Sequence, residues 1–364
     1  MESKYIYGLI EASEEKDFYS YGFASYEEVY SVRNITEAIR DSEISNRVYT
    51  IPYMDISAIV SDSQLVDYTT LRKDQIVRYL HHHQQVIEKI MNIHTILPMR
   101  LGTYAFNTRE VKEILSKGYT RFKDILKKIE NKIEIDVVAT WNDLNSVIKE
   151  IGEEEEIKEL KEKLMSKPNG VSIEDQMKIG NLIKNALDEK RADITLEIGD
   201  VLGRVSIDLR VHDLMDDRMI FNTAFLISKD NHRDFNEKVE KLNGRYLEKV
   251  NFRCVGPLPT YSFYTVEVKK IRFDEIDWAR KRLCLNDVIT KGEIQKTYRN
   301  LALVYHPDRN PDTLNSDKEF NEVNKAYNLL LEYSLSAEQE GKREPYSLRE
   351  EEFAKNTIIV KVRD

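Results

Sequence analysis

The chain has 364 residues, 41% apolar and 33% charged, with a formal net charge of −9 at pH 7. That length exceeds one ordinary core and implies two or three domains, and the acidic balance argues against a general binder of nucleic acid or anionic membrane, which needs a basic footprint. No apolar run approaches a membrane span, Met1-Glu-Ser-Lys-Tyr5 lacks the regions of a signal peptide, and Cys254 and Cys284 sit outside any metal-ligand spacing, so a cytoplasmic protein with reduced thiols is expected.

Tyr5-Ile-Tyr-Gly-Leu-Ile10 is β-rich, closed by acidic residues, and reads as a strand. Residues 26–35 read as β or mixed. Residues 48–60 are dense in β-branched and aromatic side chains and read as sheet, with Pro52 confined to an edge or bulge because it lacks an amide hydrogen. Residues 71–94 form a long helix whose apolar stripe is Ile76, Val77, Leu80, Ile87, Ile90 and Met91. Its His81-His82-His83 run cannot converge on one ion, because successive helical positions diverge by about 100°. His83 and His94 fall near the stripe and are expected as half-buried rings satisfied by backbone carbonyls. A strand at 95–106 containing Pro98 and Gly102, a helix at 108–132 and a strand at 133–141 follow. Strands alternating with helices over residues 1–141 predict an α+β domain, ferredoxin-like in arrangement.

Residues 142–164 read as one charged helix whose Glu153–Glu156 run is a solvated face. Lys167-Pro-Asn-Gly170 is a turn, and Ser172-x-x-Asp175 is a capping signal for a helix at 173–187. Residues 194–214 carry two patterns. Ile194, Ile198, Val201, Leu202 and Val205 suit a helix, whereas Val205 to Val211 alternate like a strand; the helix is preferred, as the partner of a helical pair. A strand at 219–228, a helix at 232–243 with Gly244 as its C′ residue, a strand at 250–255, a Gly/Pro turn and a strand at 262–268 complete a second α+β domain, residues 142–271.

Beyond it, Ile294, Tyr298, Leu301 and Tyr305 recur at helical spacing up to Pro307, which ends the helix. Phe320, Val323, Ala326, Tyr327 and Leu330 form a facing stripe, so the two helices make an antiparallel hairpin with His306 and Asp308 at its tip. With Leu283-x-Leu285, Glu293-Ile294 and Tyr298-Arg299-x-Leu301-Ala302-Leu303 at matching spacings, this segment, about 273–333 within a domain set at 272–335, resembles the J-domain of the Hsp70 co-chaperone family. The resemblance implies an all-α domain that docks on Hsp70 and stimulates its ATP hydrolysis through Lys296, Arg299, His306, Pro307, Asp308 and Arg309. Cys284 stands where that family prefers Gly. Gln295, Asn300 and Val304 replace frequent lysines, leaving Lys291, Lys296, Arg299 and Arg309 as the basic face. The tail, residues 336–364, is charged except for a run at 357–362 that suits an edge strand.

The stretches Tyr5-Ile-Tyr-Gly-Leu-Ile10, Ile96-Leu-Pro-Met-Arg-Leu-Gly-Thr103, Asn222-Thr-Ala-Phe-Leu-Ile227 and Gly256-Pro-Leu-Pro-Thr-Tyr-Ser-Phe263 give residues 1–270 a second resemblance, to the gas vesicle protein F/L family. It implies a vesicle-associated accessory factor that contacts the hydrophobic shell protein and other accessory subunits. A minor structural subunit of the shell and a general Hsp70 co-chaperone are the alternatives. No phosphate loop, nucleophile elbow or Cys/His cluster appears, so no enzyme, cofactor or metal is expected. Arg100 reads as a salt-bridged strand-end residue rather than an anion ligand, and Asp55 and Asp62 as solubilising or turn residues.

Overall fold

The computed structural model describes residues 3–18, 44–166, 171–306, 316–339, 341–353 and 358–363. The segment at 26–35 and the turn at 167–170 lie outside these residues. Two compact units form, one from residues 1–128 with 264–364 and the other from 129–263.

The first unit opens with β1 (Ser3–Glu11), β2 (Ile44–Tyr53) and β3 (Ile56–Ser63), then α1 (Lys73–Met91), β4 (Ile96–Pro98), β5 (Tyr104–Ala105) and α2 (Thr108–Ile129). The sheet is antiparallel in the order β2-β3-β1-β4, with β5 also on β1. That is the strand order of a ferredoxin-like sheet; residues 19–43, between β1 and β2, lie outside the described set, so the ferredoxin-like expectation rests on the order alone. The 48–60 run is a hairpin rather than one strand. Met54 takes φ 55° at the turn, and Asp55 beside it pairs with Lys123 and accepts from Tyr119 Oη at 2.7 Å. Pro52 lies on the edge strand β2, where its missing amide costs no ladder bond. The 95–106 run is also broken, at Gly102 with φ 82°. On α1 the buried face is His83, Val86, Ile87, Ile90 and Met91, whereas Val77 and Leu80 of the expected stripe are exposed.

The second unit holds β6 (Lys132–Trp141), α3 (Leu144–Gly152), α4 (Glu155–Met165), α5 (Ile173–Gly203), β7 (Asp208–Val211), β8 (Met219–Ser228), α6 (His232–Arg245) and β9 (Val250–Leu258). Its antiparallel sheet runs β7-β8-β6-β9, so β6 belongs here and not to the domain expected to end at residue 141. Ile133, Ile135, Val137, Ala139 and Trp141 alternate onto one face and pack with Phe221, Phe225 and Ile227 of β8, Ile194, Ile198 and Leu202 of α5 and Phe235 of α6. Each large side chain so buried contributes about 2 kcal/mol. The helix expected at 142–164 is two, because Glu154 adopts extended angles (φ −61°, ψ 141°) and breaks it inside the acidic run. Ser172 and Asp175 form the expected reciprocal cap, with both bonds at 3.2 Å. The helix preferred for 194–214 stops at Gly203 and the alternating residues form β7. Gly244 lies within α6, not beyond its end.

The chain then returns to the first unit with β10 (Thr265–Lys270), α7 (Phe273–Arg282), β11 (Val288–Ile289), α8 (Lys291–Tyr305), α9 (Ser316–Gln339), β12 (Tyr346–Ser347), α10 (Glu350–Phe353) and β13 (Ile358–Arg363). Expected in the second sheet, β10 pairs instead with β13, and Val266 bridges Met99. The tail run therefore does add a strand. Glu332 of α9 accepts from Lys269 and Lys361 at 2.7 Å each, tying the helix to both strands. Ile359 joins the helical core of Ile276, Leu283, Ile294, Val323, Ala326 and Leu330. Among the described residues no helix is long and apolar enough to cross a membrane.

Candidate functional site

Thr290 starts α8 by accepting from Glu293 N at 3.2 Å while its own amide donates to Glu293 Oε2 at 2.8 Å. The helix ends at His306, whose extended backbone (φ −63°, ψ 125°) is what the following proline imposes. Tyr298 stacks on Tyr327 with centroids 4.0 Å apart and donates to Asn324 Oδ1 at 2.7 Å, closing the hairpin along the expected stripes. The His306 ring meets Phe320 edge-on at 5.3 Å. Lys296 and Arg299 are exposed, and with Leu303 they line one face of α8. Pro307, Asp308 and Arg309 lie outside the described residues. Lys291, expected in the basic face, is drawn to the tail: its ammonium pairs with Glu338 and its amide donates to Glu344 Oε1 at 2.8 Å.

Arg282, which sequence reasoning passed over, and Cys284 hold α7 in place. Arg282 pairs with Glu322 at 3.2 Å and with Glu319, and its guanidinium stands over the Tyr305 ring at 5.3 Å. Cys284 takes φ 52°, a left-handed position. Its amide donates to Lys281 O and that of Leu285 to Arg280 O, both at 3.0 Å. Those paired bonds are a helix C-terminal cap that normally carries glycine, and Cys284 was legible only as the departure from that residue.

Two further stretches singled out in the sequence are irregular segments hung on buried ionisable side chains. After β4, the Met99 carbonyl accepts from His83 Nε2 (3.1 Å), which fixes the proton there and leaves Nδ1 to accept from Tyr5 Oη at 2.7 Å. Both ring nitrogens are committed, and the ring is fully buried rather than half-buried. His82 Nε2 lies 3.1 Å from Tyr7 Oη. Burial lowers both imidazoles to about 4. Arg100, in the same turn, pairs with Glu267 at 3.2 Å.

In the second unit, Glu134 is fully buried on the sheet face opposite the helices. It accepts from Ser262 N at 2.8 Å and Ser262 Oγ at 2.7 Å, and that hydroxyl also lies 3.2 Å from His212 Nε2. Burial raises the Glu134 carboxyl to about 8 and moves its neighbour Asp136 upward as well. A Cβ on Gly256 (φ 152°) would stand 2.7 Å from Ile135 Cδ1 and 2.9 Å from Glu134 O, so only glycine lets the chain cross β6 there. The signal for Glu134 was its place between Ile133 and Ile135 in an alternating strand. Among the described residues no cluster of histidine, cysteine and carboxylates is arranged to hold a metal.

Two antiparallel sheets with flanking helices, followed by a helical hairpin ending α8 on His306, define an α+β protein carrying a J-type module. Residues 3–265 match the model of gas vesicle synthesis protein GvpL/GvpF and residues 281–337 that of the DnaJ domain. The chain belongs to the GvpL/GvpF family, which gives it an accessory role in gas vesicle synthesis, and it bears a DnaJ domain. Gas vesicle protein F of Haloferax mediterranei is 25% identical over 227 residues, covering 62% of this chain and 84% of the relative. The chaperone protein DnaJ of Chlorobaculum tepidum is 58% identical over 40 residues, 11% of this chain and 10% of the chaperone, so that likeness stays within one domain. The crystal structure of GvpF from Anabaena sp. PCC7120 superposes with a TM-score of 0.55 at 22% identity, over 72% of this chain and 98% of that one, a likeness of fold.

Proposed function

We propose that this protein is a cytoplasmic, vesicle-associated assembly factor that binds the hydrophobic gas vesicle shell protein and other accessory subunits, and that its DnaJ domain recruits an Hsp70. The observation that carries the reading is one chain joining the gas vesicle family body to a DnaJ hairpin with exposed Lys296 and Arg299 on α8 and His306 at its end. A shell protein that must turn an apolar face inward is prone to strand pairing before assembly. A factor that shields it beside an Hsp70 hands it on. Its own role is binding; the ATP hydrolysis belongs to the Hsp70, and neither cofactor nor nucleic acid takes part.

The test uses the full chain, because β10 pairs with β13 and a protein ending near residue 270 would lose that strand. Calorimetry of the full chain with the shell protein should give saturable heat. No binding by a well-folded sample would reject the assignment. Stoichiometric retention on washed, stripped vesicles would favour a structural subunit, and equal affinity for unrelated unfolded chains a general co-chaperone.

A further inference from the structure

Gly341 turns the chain back after α9. It takes φ 81°, its amide donates to Glu338 O at 2.8 Å, and that of Lys342 donates to Ala337 O at 3.0 Å, a glycine-terminated helix cap. Residues 341–348 then run as a strap across the base of the hairpin. In the β11–β12 ladder Ile289 faces Tyr346 and Val288 faces Ser347, and beyond it Leu348 N donates to Asp287 O at 2.7 Å. Tyr346 and Leu348 are buried in the helical core. So anchored, the strap brings two carboxylates to the start of α8, and both close on Lys291. Glu338 takes its ammonium, and Glu344 Oε1 accepts from its amide at 2.8 Å. Tyr346 Oη donates to the other Glu338 oxygen at 2.7 Å. The Lys291 ammonium and the Tyr346 hydroxyl hold the Glu338 carboxyl below its usual range, so it is ionised at neutral pH.

Lys291, Gln295 and Arg299 follow at four-residue intervals and lie along one row of α8, with Lys296 beside it. We propose that the strap is an autoinhibitory contact: Glu338 and Glu344 stand in for the anionic surface of Hsp70 and withhold Lys291 from the docking row. The proposal rests on the Hsp70-recruitment reading above and names what regulates that site. A surface that receives Lys296 and Arg299 is anionic. It meets a third cation already engaged, and must displace two carboxylates or dock without it. Displacement needs only side-chain rotation, because Tyr346 and Leu348 keep the strap in the core. A partly exposed ion pair of this kind is weak enough to exchange.

The test is the concentration of full chain that gives half-maximal ATPase stimulation of the same organism's Hsp70 at low salt. Glu338→Gln with Glu344→Gln keeps both acceptor oxygens and so the fold, and should lower that concentration about threefold. Lys291→Gln should leave the wild-type value unchanged, yet should cancel the gain when added to the double variant. Tyr346→Phe keeps the ring in the core and removes only its bond to Glu338. It should move the value the same way by less, and decides the matter if the double variant melts early. An unchanged concentration in the folded double variant overturns the proposal. So does a gain that survives Lys291→Gln, which is relief of repulsion alone. So does a Lys291→Gln that weakens the wild type, which puts Lys291 on the partner already. No stimulation by the wild type would reject the recruitment reading and the strap with it, whereas the other contrary results reject the strap alone.

Discussion

In the first unit the turn after β4 hangs on a neutral imidazole, that of His83; in the second, the segment after β9 hangs on the buried carboxyl of Glu134. The first segment contains Gly102 and the second follows Gly256 of β9, both at positive φ, and each departs from the regular strand that precedes it. The anchor must therefore offer two hydrogen bonds where water cannot reach, and desolvation then favours its neutral form. For a base that lowers the pKa and for an acid it raises it. One physical demand, met by opposite chemistries, gives the two units opposite responses to pH.

The largest expected difference lies in the glycines. Gly256→Ala meets a main-chain oxygen as well as Ile135, and its φ is strained for any side chain, so it should destabilise the second unit by about 3 kcal/mol or more. Gly102→Ala meets only the Tyr68 ring, at 3.0 Å, and should cost the first unit about 1–2 kcal/mol. Native-state hydrogen exchange on β6 and β8, against β1 and β3, reads the two separately. Equal losses would break the comparison.

Next comes pH. His83 has a folded pKa of about 4, below its ordinary 6.5, so the unfolded chain takes up the proton first. The first unit should lose stability as pH falls from 6.5 towards 4, by on the order of 3 kcal/mol for that ring. Glu134 has a folded pKa of about 8, above its ordinary 4.5, so the folded state holds the proton more tightly. The second unit is therefore steadiest below 4.5 and should lose stability as pH rises towards 8. Hydrogen exchange corrected for intrinsic rates should show protection falling on β1 and α1 as pH drops from 6.5 towards 4, and on β6 and β8 as it rises from 4.5 towards 8. Glu134→Gln should flatten that second loss. Parallel pH profiles in the two units would refute the shared mechanism.

A smaller gain is expected at Cys284, left-handed like the two glycines but carrying a side chain. Cys284→Gly should stabilise the first unit by about 1 kcal/mol, seen as a shift in denaturation midpoint. No change would mean that the cap tolerates its cysteine.

Much of this was legible because it is local. The strand read at 219–228 is β8 to the residue, Ser172 and Asp175 form their cap, and Tyr298 meets Tyr327 where the two stripes predict. What was missed depends on distance or competition. β10 was assigned to the second sheet because neighbours in sequence usually pair, yet its partner is β13, at the far end of the chain. At 194–211 the helical spacing runs into the strand pattern with no proline or glycine to mark the change beyond Gly203. Glu134 looked like an ordinary polar residue, and His83, expected half-buried on a backbone carbonyl, finds that carbonyl but is fully buried, since burial depends on what crosses over each. The docking residues came from resemblance. The structure brings Lys296, Arg299 and His306 onto α8 and its end, and has spent Lys291 on Glu338.

The central claim is that the hairpin acts on an Hsp70 and is not merely a packed appendage. His306→Gln should change stability by about 1 kcal/mol or less, since the ring gives up one edge contact with Phe320. Steady-state ATPase rates of a cognate Hsp70 with wild type, His306→Gln and Asp308→Asn test the claim most directly. Stimulation by wild type and none by either folded variant is the expected result. Equal rates with all three, across several Hsp70s, would contradict it and leave the hairpin a structural element alone.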